Sequence, residues 1–179
     1  LISIEKALEL EPDQLDYLAE YGVILDKKDK EKEAAQVFRE VFNKSHHHFY
    51  SGIWLGNYYL KNKKYDKAIE VLEDLYLIDS TNNYLARSIG FTWYKKGVYE
   101  KSKEWFKKAI ELDSTDIKSY QYLFSTYAGK EEFELAFNTI HQAILMDSTN
   151  KFLHISKGDL HVIRNHHFQA IKAYHKAFE

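Results

Sequence analysis

Apolar positions in residues 84–96 fall at Ala86, Ile89, Trp93 and Tyr94. This is the spacing of one helix face, and Gly97 follows where such a helix closes. A second helical stripe runs over residues 99–112, with Trp105, Phe106, Ala109, Ile110 and Leu112 on the side predicted to be buried. The pattern then repeats. Ile78-Asp79-Ser80-Thr81-Asn82 recurs as Leu112-Asp113-Ser114-Thr115-Asp116 and as Met146-Asp147-Ser148-Thr149-Asn150, each time 34 residues on. Gly22, Gly56, Gly90 and Gly158 keep the same step, with Phe124 in the one intervening place. Ala34, Ala68, Ser102, Ala136 and Ala170 form a second series of small residues, and Ala7, Val41, Leu75, Ala109, Ala143 and Ala177 a third. Phe38, Leu72, Phe106, Ile140 and Tyr174 place a large residue in every unit.

Small residues on paired helices let two backbones approach closely, with the bulky series filling the space beside them. Ser80, Thr81, Asn82 and their equivalents are expected to offer N-capping oxygens to the next helix. The pattern predicts an all-α chain of antiparallel helix pairs. One proline and seven glycines agree with long helices joined by short turns.

A 34-residue helix–turn–helix unit with Ile89-Gly90 in place of a leucine-glycine pair, then Trp93, Tyr99, Ser102, Phe106 and Ala109, resembles the tetratricopeptide repeat. The resemblance extends over the entire chain. It implies a right-handed superhelical solenoid forming one continuous domain, with repeats at 15–48, 49–82, 83–116, 117–150 and 151–179. Residues 1–14 then end a preceding repeat, so the array is expected to have been cut from a longer one. Three departures stand out. Pro12 is the only proline at a repeat end. Phe124 replaces a glycine, so the fourth pair is expected to be splayed or shifted. His154, Lys157 and His161 fall where apolar residues are expected, as in an end cap.

Composition narrows the function classes. Hydrophobic residues at 45% and aromatics at 16% exclude a disordered chain, and a net charge of −2 provides no general attraction to nucleic acid or anionic membrane. Without cysteine there is no disulfide, thiolate metal site or cysteine nucleophile. No apolar run approaches the ~20 residues that span a bilayer. A soluble protein is expected, cytoplasmic or periplasmic in an AT-rich bacterium. No phosphate loop, nucleophile elbow or zinc-protease helix occurs, and neighbouring carboxylates such as Glu131 and Glu132 read as solvated faces. We therefore expect no enzyme, no cofactor and no metal. The run His46-His47-His48 falls in a turn between units, and His166-His167 falls in a turn within the last unit. Those turns lie at opposite ends of the helices, so the clusters do not share an ion. The run reads as a variant turn with neutral imidazoles, because a cation at a helix N-terminus opposes the helix dipole.

For the resembling family, the first helix of each unit lines a concave groove that takes an extended peptide or a partner helix. That implication places candidate contacts at Tyr50, Ile53 and Asn57, and at Tyr84, Arg87, Phe91 and Tyr94. Further along they are Lys118, Gln121 and Ser125, then Phe152 and Asp159. Some co-chaperone members hold a C-terminal carboxylate in a basic clamp. Here only Asn57 and Lys118 occupy matching places, whereas Ile53, Ser88 and Tyr122 stand where lysine, asparagine and arginine should be. The expected role is a protein-interaction scaffold. Its rivals are a docking arm of a larger enzyme or sensor, and a self-associating module. The chain is expected to be a monomer or a weak homodimer through its exposed ends.

Overall fold

The computed structural model describes residues 2–11, 14–45 and 48–179. Pro12, His46 and His47 lie outside them. Among the described residues there are eleven helices and no strand. The helices are α1 (Ile2–Leu10), α2 (Leu15–Lys27), α3 (Glu31–Lys44), α4 (Phe49–Lys61) and α5 (Tyr65–Ile78). They continue as α6 (Asn83–Lys96), α7 (Tyr99–Leu112), α8 (Ile117–Gly129), α9 (Phe133–Met146), α10 (Lys151–Ile163) and α11 (His167–Phe178). The chain divides into two compact units, Leu1–Ser80 and Thr81–Glu179, although the repeat register runs through that division unbroken. Within each unit consecutive helices pack on one another, most extensively as the pairs α2–α3, α4–α5, α6–α7, α8–α9 and α10–α11.

The glycine and bulky-residue series meet directly. A Cβ built on Gly22 would stand 2.8 Å from the Phe38 ring, one on Gly56 2.9 Å from Leu72, and one on Gly90 2.9 Å from Phe106. Gly158 lies under Tyr174 in the same way. The bulky side chain therefore sits on the glycine rather than beside it, and any added methyl forces it out of a fully packed position. In the fourth pair Phe124 is buried and faces the core with Ile140. The α8–α9 pair packs as extensively as α2–α3 and α4–α5, so the expected splaying is absent. An isoleucine in place of a ring at position 140 leaves room for the ring at 124. The core of the first unit includes Leu18, Ala19 and Val41; that of the second is built on Phe106, Leu123, Phe124, Ile140 and Leu153.

Each turn between paired helices has one geometry. Asp29, Lys63, Gly97, Glu131 and Asn165 all have φ between 57° and 84°, and they recur every 34 residues. The following N–H reaches back to the carbonyl five residues earlier: Lys30 to Leu25, Lys64 to Tyr59, Val98 to Trp93, Glu132 to Tyr127 and His166 to His161, at 2.8–3.0 Å. This is a left-handed C-terminal cap in every repeat, and only one of the five has the glycine that this conformation favours.

The turns between repeats correct the capping expectation. Of the Asp-Ser-Thr turns, the Thr115 and Thr149 hydroxyls donate back to Asp113 and Asp147, at 2.7 and 3.0 Å, instead of capping forward. Their backbone N–H groups donate to the same carboxylates. The Thr115 hydroxyl and N–H hold Asp113 below the usual carboxylate range, and the Asn150 side-chain amide, donating at 3.0 Å, does the same for Asp147 together with the Thr149 hydroxyl. The side chain of Asn82 caps α6 by accepting from Leu85 N–H. At α4 the cap is His48, whose Nδ1 accepts from Ser51 N–H at 3.3 Å. An accepting Nδ1 carries no proton, so the imidazole replaces the missing asparagine in its neutral form.

Candidate interaction surface

The second residue of each unit projects from the first turn of its first helix. In the second unit these are Tyr84, Lys118 and Phe152, and all three are exposed, Tyr84 by 37% and Phe152 by 53%. Two residues on, Ala86, Tyr120 and His154 are buried. A 3.6-residue period turns those neighbours to different sides of the helix. The exposed series is thus a built feature of the repeat.

Around it the remaining candidates divide. The Arg87 Nη1 donates to both carboxylate oxygens of Asp116 at 2.6 Å, with side chains only 18% and 6% exposed. Asp116 also accepts the Ser119 hydroxyl at 2.6 Å, and Asn83 donates to Asp113 at 3.2 Å. Arg87 therefore ties α6 to the turn that starts α8, and its guanidinium lies 5.5 Å from the Tyr84 ring centre, bracing that ring. Phe91 packs on Tyr122 at 4.8 Å, and Tyr122 stacks on the buried Phe106 at 5.4 Å. Tyr94 meets Tyr99 edge-on at 5.8 Å. Both are half-buried at the margin of the core. Gln121 and Ser125 are half-buried too, with the Ser125 hydroxyl donating to the Gln121 carbonyl at 2.9 Å. Asp159 accepts the Tyr174 hydroxyl at 2.7 Å, which raises the phenol's pKa.

Two residues that sequence reading missed are Ile155 and Val162, exposed on α10 in the places of Arg87 and Tyr94. With Phe152 they put three apolar side chains on the face of α10 that also carries Asp159. Two 34-residue steps from Arg87 and Tyr94 are the signal that would have found them.

In the first unit Tyr50 is 51% exposed and leans edge-on against Phe38 at 5.7 Å. Ile53 is half-buried. Asn57 is exposed and lines a cavity of about 150 Å³ with Asp26, Glu31, Trp54, Tyr58 and Lys61. There Trp54 stacks on Tyr58 at 5.3 Å, and Lys61 pairs with Glu31.

Among the described residues no three His, Asp or Glu side chains converge as metal ligands, and no helix is long and apolar enough to cross a membrane. Residues 53–82 and 89–116 match the family model described as tetratricopeptide repeat. No curated protein matches the sequence. The fold is similar to a crystal structure of MamA, with a TM-score of 0.82 at 18% identity, covering 91% of this chain and 89% of that one. It is also similar to residues 41 to the end of MamA from Desulfovibrio magneticus RS-1, with a TM-score of 0.73 at 23% identity over 81% and 82%. A third likeness is to YrrB, described as a TPR protein with an unusual peptide-binding site, with a TM-score of 0.76 at 15% identity over 97% and 90%.

Proposed function

Because this chain is built on tetratricopeptide repeats, we propose that it is a non-catalytic protein-interaction scaffold. Its ligand is an extended peptide or a partner helix held against the exposed face of the first helices. The observation that carries this reading is the series Tyr84, Lys118 and Phe152, large side chains kept in solvent at one register while their neighbours are buried. Tyrosine and phenylalanine in such places bring large contact area with little rotamer entropy to lose, which makes them binding anchors. Arg87 acts as the brace that holds Tyr84. Ile155 and Val162 extend the apolar part of the surface along α10, and Phe91, Tyr94, Gln121, Ser125 and Asp159 form its floor. In the first unit Tyr50, Ile53 and Asn57 offer a corresponding set. A peptide with alternating apolar and acidic side chains fits the mixture of aromatic rings and the Lys118 ammonium. YrrB, a neighbour of like fold, carries a peptide-binding site in its description, which agrees with this class of function.

The test is affinity selection of displayed peptides, followed by binding measurements on variants. Tyr84→Ser with Phe152→Ser should weaken a selected peptide at least about tenfold, as hot-spot anchors do. Lys107→Ser, on the exposed side of α7, should leave it unchanged. Equal loss in both variants, or in neither, would remove the first-helix face as the binding surface.

A further inference from the structure

The last repeat departs from the others on one face of its first helix. Where α4 has Gly52, Leu55 and Tyr59, and α8 has Tyr120, Leu123 and Tyr127, α10 has His154, Lys157 and His161. The α8 residues are buried in the core. Their α10 counterparts line a cavity of about 330 Å³, with Gln169, Lys172, Ala173 and Lys176 of α11 as the other wall. No carboxylate lines it. Among the described residues no carboxylate pairs with Lys157 or Lys172. The Lys172 ammonium lies 4.7 Å from the Phe168 ring centre, and Lys176 pairs with Glu179 at 2.7 Å. His154 Nε2 lies 2.8 Å from the Ser148 carbonyl oxygen. His161 packs against Phe137 at 4.6 Å, and its Nδ1 is buried without a hydrogen-bond partner. Burial, then the charges of Lys157, His166 and Arg164, lowers the His161 pKa.

Placing ammonium and imidazole groups at core positions gives up apolar burial and gathers like charge, which is unfavourable until an anion neutralises it. We propose that the groove between α10 and α11 binds a phosphate-type oxyanion, with Lys157 and Lys172 as the charged donors and His161 and Gln169 as polar walls. Charge-assisted hydrogen bonds to phosphate oxygens suit ammonium donors of this kind. The face bearing residues 154, 157 and 161 is distinct from that bearing Phe152, Ile155 and Val162, so this site is independent of the proposed peptide surface. The phosphoryl group is either free or carried on a partner protein.

The test is an NMR titration of the protein with inorganic phosphate at ionic strength held constant by chloride. A parallel titration uses a phosphoserine peptide and its unphosphorylated counterpart. Saturable shifts should appear in residues 154–176, including the His161 ring. Lys157→Leu with His161→Tyr restores the side chains of α8 and so should fold, and it should bind at least about tenfold more weakly. Lys172→Gln, at an exposed position, should weaken binding severalfold with the helices intact. Saturation by free phosphate assigns a small anion, and saturation by the phosphopeptide alone assigns a phosphorylated partner. No saturable response to either probe, or unchanged affinity in the double variant, overturns the proposal.

Discussion

Lys63→Gly should make this protein more stable, and Gly97→Ala should make it less so. Both residues occupy the same left-handed cap, with φ of 57° at Lys63 and 84° at Gly97. A side chain in that conformation is strained by roughly 1–2 kcal/mol, because its Cβ crowds the neighbouring carbonyl oxygen. Glycine escapes that strain but loses more freedom on folding, which offsets about 0.5–1 kcal/mol. The net difference is about 0.5–1 kcal/mol in favour of glycine. No other contact complicates the Gly97→Ala arm, since a Cβ there meets nothing within 4 Å. Lys63 is likewise exposed. Glu131→Gly should resemble Lys63→Gly, and Asn165→Gly should gain least, because asparagine tolerates positive φ. Urea unfolding reads the effect. At a slope of ~2 kcal/mol/M the midpoint moves by roughly 0.25–0.5 M, upward for Lys63→Gly and downward for Gly97→Ala. A Lys63→Gly variant that unfolds earlier than the parent, or a Gly97→Ala variant that unfolds later, would refute the reasoning.

Other residues give similarly direct outcomes. Arg87→Ala leaves Asp116 with a carboxylate that is only 6% exposed and no cation, so stability should fall by about 2–4 kcal/mol in urea titration. Arg87→Ala with Asp116→Ala should lose less than the sum of the two single changes. His48→Ala removes a helix cap and should lose about 1 kcal/mol, whereas His48→Asn, which restores the residue found at Asn82, should hold within a few tenths. Asp113 and Asp147 have lowered folded pKa values, so their contribution is fully present above the unfolded carboxylate value and is lost as pH falls through the folded one. Thermal unfolding followed below about pH 4 should show this loss, and Asp113→Asn with Asp147→Asn should flatten that acid limb. His161 titrates in the same sense, with stability falling as pH drops below about 6.5, and His161→Tyr should remove that part of the slope.

The helix pairs and their core were legible because volume and period carry them. Gly90 and Phe106 stand 16 positions apart in one unit, as Gly22 and Phe38 do in another, and the structure stacks each ring on its glycine. The left-handed caps were legible only at Gly97. Asp29, Lys63, Glu131 and Asn165 carry no glycine, and their backbone is fixed by the turn's hydrogen bonds rather than by local preference. His48 escaped notice as a cap because imidazole is not among the usual capping side chains. For the candidate surface, the register identified which helix positions repeat but not which side chains are already engaged. Arg87 looked like an anchor until the fold brought Asp116, 29 residues on, to its guanidinium. Phe91 and Tyr94 looked like contact residues, yet they lie half-buried because Tyr122 and Tyr99 come to meet them. Ile155 and Val162 were passed over because an aliphatic residue on an amphipathic helix is ordinarily read as core, and only their exposure separates them from it.

Amide hydrogen exchange of the protein with and without a selected peptide tests the interaction reading most directly. Binding should slow exchange along α6, α8 and α10, with the first turns at Tyr84, Lys118 and Phe152 most affected, and leave the exposed sides of α7, α9 and α11 as they were. Protection confined to those second helices, with the first helices unchanged, would contradict it.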